Sequence, residues 1–234
     1  MSALMMETEQ FSYTVHYSSR RRSVALQVKQ GQLTVRAPLG YSLADINALV
    51  QQKQQWVLKH LQQVKLQTRP QWLAEQQLPL LDNTIALTRL RGAKSAVLYD
   101  EHNITVIVSS RVQPQRYEKV LLTLLQKWYQ QQALSWFTQR VHYWQNKMNV
   151  RSGTILVGNW RTKWGYCKST SELGFNWRLM MAPAWVTDYV VVHELAHLKH
   201  LNHSPRFWQL VAAHYPQAEQ AKTWLKHNQY LLEL

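Results

Sequence analysis

The chain has 234 residues, with 27 lysines and arginines against 13 acidic residues, a formal net charge of +14 and a pI of about 10.0. This length is enough for one sizeable hydrophobic core, and no apolar run approaches the ~20 residues of a membrane span. The single cysteine, Cys167, excludes an intrachain disulfide, and residues 1–10 lack the basic stretch of a secretory signal. We therefore predict a cytoplasmic protein.

The excess of positive charge predicts attraction to polyanions such as nucleic acids, nucleotides or anionic surfaces. The alternative interpretation is a basic protein whose charges are spread evenly over its surface. The sequence has no RNA-recognition, zinc-knuckle or helix-turn-helix signature that would identify a nucleic-acid partner. Both interpretations stay open, no membrane partner is expected, and the sequence gives no indication of the oligomeric state.

Residues 1–113 are predicted to form a β-rich region with one long helix. Alternating apolar and polar residues predict short strands at residues 11–17, 23–29, 32–37, 84–90, 96–100 and 104–108. The second and third of these strands form a predicted hairpin, with residues 29–32 as its turn. A helix is predicted over residues 43–66, because its apolar positions recur at helical spacing and Ser42 can cap its start.

Residues 114–234 are predicted to form a compact catalytic unit, although no flexible linker marks the boundary and the two parts can share one core. The first helix of this unit runs to about residue 149, and its many large side chains at helical spacing predict core packing rather than a cofactor site. Strands are expected at residues 155–160 and 173–181, and helices at residues 183–201, 205–214 and 217–230. Residues 175–178 are predicted to be an edge strand with which an extended substrate can pair.

The motif that carries chemistry is H-E-x-x-H at residues 193–197. Residues four apart lie on one face of a helix, so His193 and His197 can direct two imidazoles to one metal ion, usually zinc. Glu194 is rotated by about 100° around the helix axis, where it can act as a general base towards water on that ion. The surrounding residues are mostly apolar, which predicts a buried helix whose polar groups need partners.

A catalytic zinc usually has three protein ligands and one open position, so a third ligand is expected outside the helical pair. In order of preference, the candidates are His203, Glu219, His214 and His200. In a continuous helix His200 would lie about 10 Å from His193 and point past the ion. His203 is favoured if the helix ends near Leu201 and a left-handed Asn202 turns the chain back.

Two parts of the chain together resemble the YgjP-like (DUF45) family of metallopeptidase-type proteins, related to the SprT and WLM zinc proteins and to M48-type metallopeptidases. The resemblance lies in residues 160–167, 176–179, 188–198 and 202–208, which include W-R-T-K-W-G-Y-C, the H-E-x-x-H motif and N-H-S-P-R-F-W. It is dense from about residue 150 to the end and looser at residues 20–38.

The resemblance implies metal ligands at His193, His197 and His203, with Glu194 as the general base. Zinc is the expected metal, and other divalent metals can bind such a site. The chain departs from the usual S-R-W-G-S-C pattern, so no family role is carried over to the three differing positions, Thr162, Lys163 and Tyr166. Four side chains are candidates for binding a substrate anion or stabilising an oxyanion: Arg161, Lys163, Tyr166 and Arg178.

We predict an α+β fold with a zincin-like C-terminal catalytic unit, in which an antiparallel sheet accompanies the H-E-x-x-H helix, and an N-terminal region of β-hairpin and helix. The predicted function is a zinc-dependent, metallopeptidase-like hydrolase in which Glu194 activates water against a peptide bond. The same site also fits a metal-dependent nucleotide hydrolase that cleaves a phosphoanhydride. A third interpretation is a zinc-stabilised, nucleic-acid-associated module without catalysis.

Overall fold

The computed structural model describes residues 3–29, 31–66 and 71–234. The contacts within the chain divide it into a first unit of residues 1–69 and a second unit of residues 70–234. Both units contain sheets and helices, which confirms the predicted α+β class. The predicted boundary at residue 113 differs from this division, because the strands between residues 77 and 109 share one core with the long helix that follows them.

Over its described residues, the first unit is a four-stranded mixed sheet in the order β1-β2-β4-β3, with two helices. Its elements are β1 (Ala3–Glu7), β2 (Ser12–Ser18), β3 (Ala25–Lys29), β4 (Gln32–Pro38), α1 (Leu43–Gln52) and α2 (Gln54–Leu66). β2 pairs with β4 in parallel, and the other two pairings are antiparallel. Alternate strand residues and apolar helix residues form a core of their own, which contains Tyr13, Val15, Leu33, Val35, Ala37, Ile46, Val50 and Val57. Strand β1 was not predicted.

The predicted hairpin is confirmed as β3 and β4, and Gly31 in its turn has a φ of 75°, a conformation that glycine adopts without steric cost. One predicted residue of that turn, Gln30, lies outside the described residues. The prediction of a single helix over residues 43–66 is wrong, because the backbone of Lys53 leaves the helical conformation and separates α1 from α2. The Lys53 N–H still bonds to the carbonyl of Leu49, so the interruption is one residue long.

In the residues that the structure describes, the second unit contains seven strands and four α-helices. They are β5 (Gln77–Leu80), β6 (Asn83–Gly92), β7 (Ala96–Tyr99), β8 (Asn103–Ser109), α3 (Tyr117–Met148), β9 (Ile155–Gly158), β10 (Gly165–Cys167), β11 (Leu173–Asn176), α4 (Ala184–Ala196), α5 (Pro205–His214) and α6 (Ala218–Asn228). Short 3₁₀ helices occupy Pro114–Arg116, Trp177–Met181 and Gln229–Leu232. The strands form two sheets, in the orders β5-β6-β8-β7 and β10-β11-β9.

Helix α3 is the central element of the second unit, as predicted from its large apolar side chains. Both sheets and α4 contact it. Its buried side chains are Leu121, Leu125, Trp128, Tyr129, Ala133, Phe137, Val141, Trp144 and Met148. Phe137 stacks on Phe175 of β11, with ring centroids 4.4 Å apart. None of the helices in the described part of the chain is long and apolar enough to cross a membrane.

The position of α4 on α3 is fixed by polar contacts as well as by apolar packing. Arg140 of α3 donates two hydrogen bonds of 2.6 Å to the carboxylate of Asp188 on α4. Such a bidentate pair restricts both the distance and the orientation of the two helices. The indole N–H of Trp136 also donates to the hydroxyl of Thr187, at 3.2 Å. Helix α4, which carries the H-E-x-x-H motif, is therefore held firmly against the core.

We expect Trp128→Ala to lower the free energy of unfolding by about 3–5 kcal/mol, because it leaves a large cavity between α3 and its neighbours. The indole is 5% exposed, and its ring packs edge-on against Tyr99 and Tyr129 at 5.0 and 4.8 Å. Urea unfolding measures the effect. Leu134→Ala on the same helix is the control, because Leu134 is 47% exposed and its replacement should change stability by about 0.5 kcal/mol or less. Equal midpoints for both variants would contradict the prediction.

Candidate metal centre

Three histidines converge at the C-terminal end of α4. Each of His193, His197 and His203 offers one ring nitrogen, and these nitrogens all lie within 4.8 Å of one another. The Nε2 atoms of His193 and His203 are 3.0 Å apart. Two nitrogens bound to a tetrahedral zinc at about 2.0–2.1 Å are about 3.3 Å apart, so this spacing fits an ion of that size. The structure therefore brings together the three side chains that the sequence analysis favoured.

The chain reaches this arrangement by a different path from the predicted one. Helix α4 ends at Ala196, and the next residues form tight turns in which Leu198 and Lys199 donate backbone hydrogen bonds three residues back. The prediction that the helix continues to about Leu201 and stops at a left-handed Asn202 is wrong, since Asn202 does not have a positive φ. The earlier end leaves residues 197–203 outside the helix, and this longer loop brings His203 back to the two helical histidines.

The other candidate ligands lie elsewhere or have other partners. The His214 ring bonds to the carbonyl of Leu210 one turn earlier in α5, at 3.0 Å. Glu219 pairs with Lys222 at 3.4 Å on the surface of α6. The ring of His200 is not in this group, and its backbone carbonyl oxygen lies 3.0 Å from Nδ1 of His197. Within the described ranges, no second group of three or more potential ligands converges in this way.

Hydrogen bonds to the outer ring nitrogens orient the first two histidines. Nδ1 of His197 lies 3.0 Å from the carbonyl oxygen of His200, and Nδ1 of His193 lies 3.5 Å from the hydroxyl of Tyr189. Partners of this kind fix the ring orientation and leave Nε2 for a metal. Burial, followed by the nearby His197 and His203, lowers the pKa of His193 to about 3, and burial also lowers the pKa of His197. The two rings are therefore neutral, which is the form that binds a metal.

Glu194 is a buried carboxylate, 6% exposed, beside the first ligand. It lies against the backbone of β10: a Cβ atom built on Gly165 would be 2.6 Å from its Oε1 and 3.0 Å from its Cδ. Only glycine at residue 165 leaves room for the carboxylate in this position. Burial raises the pKa of Glu194 to about 8, and the positive charge of Lys163 acts in the opposite direction. No residue in the described part of the chain donates a hydrogen bond to this carboxylate.

The family comparison agrees with this geometry. The model of the YgjP-like metallopeptidase domain matches residues 22–228, which is most of the chain. The chain belongs to the YgjP-like family. Membership in this metallopeptidase family indicates a metal-dependent hydrolase with a divalent metal, often zinc. No curated protein and no solved structure matches the chain.

The edge strand beside the candidate centre of this YgjP-like domain is β10. The prediction that residues 175–178 form the edge is wrong, because β11 lies between β10 and β9 and all four of its residues are buried. The sheet is also mixed rather than antiparallel, since β11 runs parallel to β9. The chain passes from β9 at one edge of the sheet to β10 at the other edge and then returns to β11 between them. Alternating hydrophobicity does not reveal this order.

The backbone of β10 has open hydrogen-bonding groups on its outer side. Asn176 N–H bonds to the carbonyl of Trp164, and Lys168 N–H bonds to the carbonyl of Glu172, so even-numbered residues around β10 face β11. In an antiparallel ladder the residues between them point their N–H and C=O groups the other way. Gly165 and Cys167 thus direct these groups to the edge, where no other strand in the described part of the chain pairs with them.

Asn176 is a buried residue for which the sequence had indicated no role. Its side-chain amide donates to the carbonyls of Trp160 and Lys163, at 2.7 and 3.2 Å, and its Oδ1 accepts from the backbone of Arg178. These bonds tie the loop before β10 to β11. The loop in turn sets the position of Gly165 under Glu194, so Asn176 supports the site from outside it.

The four predicted anion-binding side chains differ in their surroundings. Tyr166 donates to Glu172 at 2.8 Å, and the Arg178 guanidinium bonds to Asn159 and lies over the Trp177 ring. Lys163 is exposed, and its Nζ lies 4.3 Å from the centroid of the Tyr166 ring. Arg161 is also exposed. Because Lys163 acts electrostatically on Glu194 and makes no ion pair within the described residues, it is the best placed of the four.

Cys167 is half-buried at the end of β10 and is not part of the histidine group. Burial, followed by the negative charge of Glu194, raises the pKa of its thiol to about 11. A thiol with a raised pKa carries little thiolate near pH 7 and is a weak nucleophile. These properties favour a packing role for Cys167 over a catalytic one.

If Glu194 is the general base, Gly165→Ala should lower turnover by about 100-fold. The added Cβ would displace the Glu194 carboxylate, and misplacing a catalytic group by about 1 Å has effects of this size. The metal content should stay at the level of the unaltered protein, since the three atoms nearest to the added Cβ all belong to Glu194. Gly40→Ala is the matched control, because a Cβ there meets no atom within 4 Å. Activity that survives in Gly165→Ala would show that Glu194 does not depend on this contact.

Proposed function

We propose that the chain is a zinc-dependent hydrolase of the metallopeptidase type, built on a zincin-like unit, that cleaves peptide bonds. In this proposal His193, His197 and His203 hold the ion, and Glu194 is the general base. The observation that carries it is the convergence of three ring nitrogens beside a buried carboxylate that accepts no hydrogen bond from the described residues. A cytoplasmic location is part of the same proposal.

The chemistry follows from the positions of these groups. When bound, zinc would lower the pKa of a water molecule towards about 7 and would stabilise negative charge on a polarised carbonyl. The positive charge of an ion held by the three histidines would oppose the rise in the pKa of Glu194 that burial causes. The ionised Glu194 then takes the proton of the attacking water and transfers it to the leaving amine. Its position against Gly165 places Oε1 on the side of β10. Lys163 is proposed as the nearest positive side chain for an anionic group of the substrate.

The open edge of β10 supports a peptide as the substrate. An extended peptide can add to a free strand edge through backbone hydrogen bonds. The N–H and C=O groups of Gly165 and Cys167 are directed to this edge, and Gly165 also contacts Glu194. A peptide bound there would have its backbone next to the general base. This geometry suits a polymer with a regular backbone.

Hydrolysis of a nucleotide phosphoanhydride is the second candidate function, and the charge distribution favours it. The chain has a net charge of +14. Lys163 lowers the pKa of Glu194 and Lys222 lowers the pKa of His193, so each of these ammonium groups acts on the centre. Positive side chains around a metal are the usual surroundings for a transferring phosphoryl group. The third candidate, a nucleic-acid-associated module without catalysis, predicts binding that weakens steeply with salt.

The first test uses purified protein with an unstructured peptide pool and, separately, a set of nucleoside triphosphates. We expect new amino groups from the peptides, loss of this activity after treatment with a chelator, and recovery when zinc is restored. Phosphate or pyrophosphate release with the same metal dependence would instead support the nucleotide hydrolase. Salt-sensitive nucleic-acid binding with neither product would support the non-catalytic module.

A further inference from the structure

The third histidine differs from the other two in how the chain holds it. His193 and His197 are half-buried on or next to α4, whereas His203 is exposed and lies in the loop before α5. An exposed side chain on a loop has many rotamers available, and fixing one of them on metal binding costs free energy. Some other contact must therefore restrict His203 before the metal binds.

The start of α5 supplies such a contact. Ser204 is the N-cap residue, and its side chain accepts a hydrogen bond from the backbone N–H of Phe207 at 3.4 Å. His203 is consequently the residue before the cap, and Trp208 is the fourth residue of the helix. These two positions pack against each other in the hydrophobic staple, which fixes the angle at which a chain enters a helix. Here the ring planes of His203 and Trp208 are 21° apart, with centroids separated by 5.5 Å.

Trp208 is itself restricted on two sides. Its ring centroid lies 5.7 Å from that of His193, so it contacts both the helical and the loop parts of the centre. The ammonium of Lys222 lies 4.9 Å from the Trp208 centroid, and Glu219 pairs with Lys222 at 3.4 Å. Contacts from α4 and α6 thus hold the indole in place, and the indole in turn provides a flat surface for the His203 ring.

We propose that the N-terminal end of α5 is a device that preorganises His203 for metal binding, with Trp208 as a positioning residue and Ser204 as the cap that sets the register. This inference rests on the proposed metal site. In it, Trp208 touches neither the ion nor the substrate and acts through the orientation of His203. The helix start then has a double role. His203 packs against Trp208 in the staple before Ser204 and Pro205 begin the helix, and His203 is also a proposed metal ligand.

The test measures zinc affinity on the full-length apoprotein by competition with a chromogenic chelator. We expect Trp208→Ala to weaken zinc binding by on the order of 10- to 100-fold, the range for residues that orient a ligand. Trp208→Phe keeps an aromatic surface and should recover most of the affinity. Trp224→Ala is the matched control, because Trp224 is a half-buried tryptophan on α6 that makes no ring contact with the three histidines in the described part of the chain. The zinc affinity of this variant should equal that of the unaltered protein.

A second readout separates orientation of His203 from general stability. Zinc raises the melting midpoint by an amount that depends on its affinity for the folded chain. If Trp208 only stabilises the fold, Trp208→Ala lowers the midpoints of the apo and zinc-bound forms equally, and this outcome overturns the proposal. If Trp208 orients His203, the rise produced by zinc becomes smaller.

Three further variants complete the test, and the two at Ser204 keep it decisive if Trp208→Ala does not fold. Ser204→Ala removes the cap acceptor and should weaken zinc binding, whereas Ser204→Thr keeps it and should not; equal affinities would overturn the proposal. His203→Ala distinguishes a failure of the positioning role of Trp208 from a failure of the proposed metal site. Reduced affinity in His203→Ala with normal affinity in Trp208→Ala overturns the positioning device alone. Normal affinity in His203→Ala overturns the proposed metal site and the device with it.

Discussion

Glu194→Gln should reduce hydrolytic turnover by about 10²- to 10⁴-fold while leaving the zinc content unchanged. The amide has the size of the carboxylate and can occupy the same space against Gly165, so the fold and the three histidines should not move. It cannot accept a proton from water and pass it on, which is the role proposed for Glu194. The measurement is the release of amino groups from a peptide pool, together with the zinc content of the same sample.

Glu118→Gln provides the matched control for this experiment. It makes the same chemical change at an exposed carboxylate on α3, outside the histidine group. The Glu118 carboxylate pairs with the Arg89 guanidinium, with 3.5 Å between the nitrogen and the oxygen. Its turnover should equal that of the unaltered protein. If Glu194→Gln kept full activity with zinc bound, Glu194 would not be the general base. Loss of zinc in Glu194→Gln would instead show that the carboxylate supports metal binding.

The second large effect is expected for His203→Ala, which removes one of three proposed ligands. The loss of zinc affinity should exceed the 10- to 100-fold that is typical for residues behind the ligands. His200→Ala should leave zinc affinity unchanged, because His200 contacts the centre through its backbone carbonyl, which accepts from His197 and is retained in the variant. Comparing the zinc affinities of His203→Ala and His200→Ala tests which histidine of this short loop is the ligand.

Zinc content after dialysis against a weak chelator measures this difference, and circular dichroism shows that both variants are folded. Equal zinc retention in His203→Ala and His200→Ala would mean that the third ligand is another residue. Glu219 would then be the next to replace, although its pairing with Lys222 on α6 gives it a different partner in the structure.

Several features near the centre could not be predicted because they depend on contacts between distant parts of the chain. The contact of Gly165 with Glu194 joins residues 29 positions apart, and no pattern around either residue indicates it. The edge position of β10 follows from the insertion of β11 between β10 and β9. A buried strand and an edge strand of three or four residues have similar local sequences, so the order of strands was not available.

The sequence by itself determined the α+β class, the long core helix α3 and the pairing of His193 with His197, because helical geometry repeats every 3.6 residues and relates neighbours directly. It also favoured His203, although the stated reason, a helix that continues to Leu201, was wrong. Only the tertiary structure decided where α4 ends, which strand lies beside the centre and which side chains contact His203. Those features depend on side chains from different elements meeting in space, and sequence patterns within one element do not encode such meetings.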